Sequence, residues 1–146
     1  MGTLDRPVLA ERAATVERHL ARVAARLPPK PAEFVAASDA SDAVILHLWQ
    51  AVQIVIDLGL SACLHFNLGT PESYGDAFRR LADAGLLDRD LAQRLTQAAG
   101  FRNLVAHAYD GLDMERVRRA AAEDPADLRA FLARLRDLLT SRLPTA

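Results

Sequence analysis

The sequence predicts an all-α fold, and three observations carry the prediction. Hydrophobic residues fill 51% of the 146 positions but aromatics only 5%, with Ala, Leu and Val dominating, which suits small-residue helix packing better than a β-sandwich. Apolar residues recur at spacings of three and four along most of the chain. Clusters of Pro, Gly, Ser, Asn and Asp separate those runs. The length is that of one domain with one core, so residues 1–146 are read as a single bundle of four to six helices.

The first helix runs from Val8 to Leu27, where Leu9, Val16, Leu20 and Val23 mark an apolar side between arginines and glutamates. Pro28 to Pro31 cannot continue it, and the Ser38–Asp42 cluster offers N-caps for the second helix. That helix, Ala43 to Phe66, is the most apolar stretch, with Asp57 its only formal charge, so a membrane span has to be weighed. His47, Gln50, Gln53, Asp57, Ser61 and His65 step by three or four and gather within about a third of the circumference. A lipid-facing span does not normally carry such a stripe along its whole length. The segment is therefore read as a central bundle helix whose polar stripe faces solvent, a partner subunit or a functional groove.

Asn67 to Gly75 ends the second helix. A short third helix turns Phe78, Leu81 and Ala82 inward and closes at Gly85. Asp88 caps a fourth, whose apolar face includes Leu91, Leu95, Ala98, Phe101 and Val105 and which runs to Tyr109. Gly111 suits its C-terminus. Asp113 caps a short segment through Ala122, and Asp124 before Pro125 opens a last helix with proline at its first position.

A net charge of −1 supplies no global positive field, so any nucleic-acid contact is expected to be local. Arginine accounts for all of the 18 basic residues except Lys30, which fits either phosphate recognition or codon bias. Arg79, Arg80, Arg89 and Arg94 form either a basic rim or, in the preferred reading, a solvated face paired with Asp83, Asp88 and Asp90. Cys63 is the only cysteine, which excludes an intramolecular disulfide and a cysteine-based zinc cluster and suits a reducing cytosol. The N-terminal stretch reads as an amphipathic helix rather than a signal peptide, so the expected location is cytoplasmic, with no membrane. His47 and His65 lie about 27 Å apart along one helix and cannot share a metal. His19 is read as a surface residue and Trp49 as core. The sequence holds no Gly-rich phosphate loop, paired-carboxylate hydrolase signature or serine elbow, and neither a cofactor nor a metal is expected.

The stretch "GFRNLVAHAYDG", Gly100 to Gly111, concentrates the residues with chemistry. On a continuous helix Arg102 and Tyr109 share a face about 10 Å apart, while His107 is turned by about 140° from Arg102. Either the last turn departs from α-geometry or two copies pool their side chains. Taken singly, each residue has a structural explanation: a solvated arginine, a histidine at the helix dipole, an amphipathic tyrosine. Taken together they suit phosphodiester chemistry, with His107 titrating near neutrality and Arg102 permanently charged.

The segment "RNLVAHAY" has the R-x4-H-x-Y form of the R-x4-6-H motif and resembles HEPN-superfamily ribonucleases. Its flanks, "IDLG" at Ile56–Gly59, the run from Thr70 to Leu95 and "GFRN", are similar in order and spacing to the HepT toxins of HepT–MntA toxin–antitoxin pairs, over roughly Asp42 to Leu139. The resemblance implies an antiparallel HEPN-type bundle that forms a homodimer with a composite cleft, and a metal-independent endoribonuclease activity. It assigns Arg102 to the scissile phosphate, His107 to proton transfer at the 2′-hydroxyl or leaving oxygen, and Asn103 to supporting hydrogen bonds. Tyr109 matches the tyrosine that the partner, an MntA-like nucleotidyltransferase antitoxin, modifies with AMP from ATP. An AMP group two residues from His107 adds bulk and negative charge where an RNA phosphate must sit. Asp57, within "IDLG", either pairs with Arg102 or faces solvent. Two other readings stay open here: a noncatalytic HEPN scaffold or substrate-binding subunit of a nucleotidyltransferase, and a bundle whose motif is purely structural.

Overall fold

Five α-helices, and no strand, make up the described residues of the computed structural model, 4–108 and 111–141. They are α1 (Arg6–Arg26), α2 (Asp39–His65), α3 (Tyr74–Asp83), α4 (Arg89–Ala108) and α5 (Met114–Thr140), with a 3-10 turn at Pro31–Glu33 between the first two. The all-α expectation therefore holds.

Each start has a side-chain cap that satisfies a backbone N–H left free at a helix end. The Asp5 carboxylate accepts from Val8 N at 2.9 Å. Ser38 and Ser41 cap α2 reciprocally, Ser41 N donating to Ser38 Oγ at 3.2 Å and Ser38 N to Ser41 Oγ at 3.1 Å. This starts α2 at Asp39, inside the predicted cap cluster and ahead of Ala43. Ser73 caps α3, Asp88 caps α4 and Asp113 caps α5. At the C-terminal end of α3, Gly85 takes φ +76° while Leu86 N bonds Leu81 O and Gly85 N bonds Ala82 O, both at 3.0 Å. A left-handed residue at that position is what glycine accommodates without strain.

The segment after Asp113 corrects the sequence-based expectation. A break at Ala122 and a new helix at Pro125 do not occur: α5 is one helix with Pro125 inside it. The ring forfeits one backbone hydrogen bond, but Val117, Ala121, Leu128, Phe131, Leu135 and Leu138 keep an unbroken helical spacing across it and all are buried. Packing along that stripe outweighs the local preference of proline for a first turn.

Helix α2 is the centre of the bundle, packed against α1, α3, α4 and α5. By length and composition it is the one described helix able to cross a membrane, yet half of its apolar stretch is buried in the bundle. Gly59 in "IDLG" has a packing role: a Cβ there would lie 3.0 Å from Cε1 of Phe78, whose ring stands edge-on to Phe131 at 5.4 Å.

The "TPESYGD" segment also has a structural explanation. The buried Asp76 carboxylate accepts from Arg80 Nε at 2.8 Å, from Glu72 N at 2.9 Å and from Arg79, and Arg80 reaches on to Leu68 O at 2.9 Å. The Arg80 hydrogen bond, then the Glu72 amide and Arg79, hold this carboxyl well below the ordinary range. Arg89 pairs with Asp83 at 3.0 Å and Arg94 with Asp127 at 2.9 Å. The arginines are paired as preferred, but with Asp76 and Asp127 in place of Asp88 and Asp90.

His19 is half-buried rather than a plain surface residue. Its Nδ1 lies 3.0 Å from Nδ1 of His47, because α1 and α2 pack side by side. One ring donates and the other accepts, so at least one is neutral. Burial lowers both pKa values first, followed by His47, Arg22 and Arg18 for His19 and by Arg22 and Arg26 for His47.

Candidate functional site

Three helices meet around the end of α4. Trp49, Gln53 and Asp57 follow at steps of four and form a ridge along α2, Tyr74 is the first residue of α3, and Arg102 projects from α4. Half-buried Arg102 lies on that ridge. Its Nε donates to Gln53 Oε1 at 2.6 Å, and Gln53 Nε2 donates to Asp57 Oδ1 at 3.0 Å. The guanidinium carbon sits 5.4 Å from the Trp49 ring centroid and 5.7 Å from that of Tyr74, within cation–π range of both. Exposed Asn103 accepts a long hydrogen bond from Arg102 Nη1, 3.3 Å.

This geometry resolves the two alternatives for Asp57. The carboxylate neither bonds Arg102 directly nor merely faces solvent; it reaches the arginine through Gln53. Trp49 packs against the core as expected, and the same ring also carries the guanidinium. Gln53 and Tyr74 were not singled out as site residues in the sequence. The signal for Gln53 was its place in the polar stripe four residues from Asp57, but its partner is 49 residues further along the chain.

Helix α4 is α-helical through Ala108, so its backbone carries both Arg102 and His107 without a break. Five residues then separate them by about 7.5 Å along the axis and about 140° around it. The side chain of His107, and Tyr109 altogether, lie outside the described residues.

The site can present a fixed positive charge. Arg102 makes no direct bond to a carboxylate among the described residues; its Nε is engaged by a neutral amide and its plane is bracketed by two rings. Without a carboxylate partner among the described residues, such a guanidinium can turn its outer edge to an oxyanion. A groove of about 1540 Å³ lies between the N-terminal part of α1 and the C-terminal ends of α2 and α5, and it contains none of these residues.

Residues 16–135 match the family model described as Ribonuclease HepT-like. Over 91 residues the chain is 30% identical to the mRNA nuclease HepT of Shewanella oneidensis, a match spanning 62% of this chain and 68% of that protein. Among solved structures, a toxin–antitoxin complex with AMP-PNP superposes with a TM-score of 0.82 at 23% identity, covering 90% of this chain and 99% of that one. The tri-AMPylated Shewanella oneidensis HEPN toxin in complex with its MNT antitoxin gives 0.81 at 24% identity, covering 90% and 98%. The two structural likenesses establish the fold.

Proposed function

This chain belongs to the HepT-like ribonuclease family, and from that premise we propose that it is the toxin of a HepT–MntA-type pair, an endoribonuclease that uses Arg102 and His107 to cleave RNA. The observation that carries the proposal is the Arg102 guanidinium, held by Gln53 between two aromatic rings and followed five residues later by a histidine on the same helix.

The chemistry follows from the two side chains. Arg102 binds the non-bridging oxygens of the scissile phosphate and stabilises the charge that builds there as the RNA 2′-oxygen attacks phosphorus. His107 removes the 2′-hydroxyl proton or delivers one to the departing 5′-oxygen, leaving a cyclic phosphate and a free hydroxyl. Asn103, beside Arg102, supports the phosphate contact. No metal is needed for these steps, and no cofactor is assigned.

A homodimer reconciles the helix geometry with a single site. Positions 102 and 107 lie about 140° apart around one α4, so two copies facing one another would bring the arginine of one to the histidine of the other. The outward side of α2 offers the contact surface: Leu46 and Leu64, 49% and 48% exposed, share one azimuth about 27 Å apart, on either side of Gln50 and Asp57. Tyr109 is the proposed acceptor of AMP from a nucleotidyltransferase antitoxin, the modification named for the Shewanella toxin complex. A protein with these partners acts in the cytoplasm.

Expression of the wild-type chain, Arg102→Ala and His107→Ala without a partner tests the reading. With chelator present, wild type is expected to cleave RNA and arrest growth, and both folded variants to do neither. A folded wild type that leaves RNA intact and cells growing contradicts it.

A further inference from the structure

We infer that Gln53 is the positioning residue of Arg102, and that its neutrality is its function: the amide fixes the guanidinium through Nε while keeping the Asp57 carboxylate one side chain away. The inference rests on the ribonuclease reading for what Arg102 contacts, and on the geometry for how it is held.

Three observations converge on Gln53. The Arg102–Gln53 bond is short, 2.6 Å, and occupies Nε, which leaves the Nη1/Nη2 edge to grip a phosphate. Gln53 in turn donates to Asp57 at 3.0 Å, so the carboxylate orients the amide and polarises its oxygen toward Arg102. Trp49 and Tyr74 restrict rotation of the guanidinium plane, which leaves Gln53 to set its direction within that plane.

A carboxylate in the same place would hold the arginine just as firmly. It would also form a charge-assisted pair, and an incoming phosphate would have to compete with it. The amide gives orientation without that competition. Asp57 still contributes its field, weakened by the added distance.

One pair of substitutions separates placement from charge. In the double variant Gln53→Glu/Asp57→Asn the side chains keep their sizes, the hydrogen-bond chain can persist with the position-57 amide as donor, and the net charge is unchanged. Only the negative charge has moved next to Arg102. Gln53→Ala removes the anchor instead.

Two readouts are taken on each full-length protein: RNA cleavage, and the ¹⁵N–¹H resonance of the Arg102 Nε group, assigned by its absence in Arg102→Ala. For Gln53→Ala, kcat is expected to fall on the order of 10–100-fold, the scale of a misplaced catalytic group, and the Nε–H to exchange rapidly with solvent. The double variant is expected to keep the slowly exchanging Nε–H of wild type and still lose cleavage on at least that scale. In wild type alone, inorganic phosphate should shift the Nε resonance.

Unchanged Nε–H exchange in Gln53→Ala, or a double variant that cleaves RNA or responds to phosphate as wild type does, overturns the inference. If the wild type itself cleaves no RNA, the ribonuclease reading fails. The exchange and phosphate measurements then decide the role of Gln53 alone.

Discussion

Asp124→Asn is expected to stabilise the protein above neutral pH and to lose most of that gain at pH 4. Asp124 falls on the same side of α5 as Val117, Ala121 and Leu128, all buried, so its carboxyl is turned toward the core. Burial first, then Asp127 and Glu123, pushes its pKa from 3.8 up to about 7, and no hydrogen bond among the described residues offsets them. The sign follows from linkage: well below pH 3.8 the group is neutral folded or unfolded. As pH rises from there toward 7 the unfolded chain ionises first and stability falls; above 7 the penalty is constant. At about 1.4 kcal/mol per pH unit the gap would amount to about 4 kcal/mol before solvent screening is counted. Asp124 is only partly buried, and solvent screening reduces the figure to about 1–2 kcal/mol. A neutral amide removes that penalty, so thermal unfolding at pH 8 should show a Tm higher by roughly 2–8 °C. The readout is the pH dependence of the difference, since an unpaired amide has its own cost at every pH. An equal Tm difference at pH 4 and pH 8 refutes the reasoning.

Gly59→Ala places a methyl 3.0 Å from Phe78, whose ring is held against Phe131; a loss of about 1–3 kcal/mol is expected, read as a lower denaturation midpoint. Asp76→Asn weakens the Arg79–Arg80 cluster. Because the folded-state pKa of Asp76 is depressed, its contribution exists above pH 3.8 and is lost as pH falls, so melting curves of variant and wild type should differ at pH 7 and draw together in acid. Tyr109→Phe should gain no AMP mass with the cognate transferase and ATP and should remain toxic beside it; a neutralised wild type with unmodified Tyr109 removes this tyrosine from the control of the toxin.

The parts of this fold legible in the sequence are those set by local chemistry. The α2 stripe followed from three- and four-residue steps, and Ser38, Gly85 and Asp88 announced helix ends through their own backbone or capping preferences. Pro125 misled because the same local rule that puts proline in a first turn was outweighed by a buried stripe continuing from Ala121 to Leu128. His19 gave no sign of His47, since their contact depends on how α1 lies against α2. The site divides in the same way. Arg102, Asn103 and His107 stand in a compact motif, and Asp57 was drawn in by its place in the stripe and in "IDLG". Gln53, Trp49 and Tyr74 became site residues only when α2 and α3 were packed beside α4, which no spacing along the chain reveals.

The most direct test of an Arg102–His107 site shared between two copies is complementation. Arg102→Ala and His107→Ala chains, each inactive alone, are unfolded together, refolded as a mixture, and assayed for RNA cleavage with chelator present. Half of the resulting dimers are mixed, and each mixed dimer holds one intact site, so cleavage is expected to return to about a quarter of the wild-type rate. A mixture as inactive as its parents, although mixed dimers have formed, contradicts a site built from Arg102 of one copy and His107 of the other.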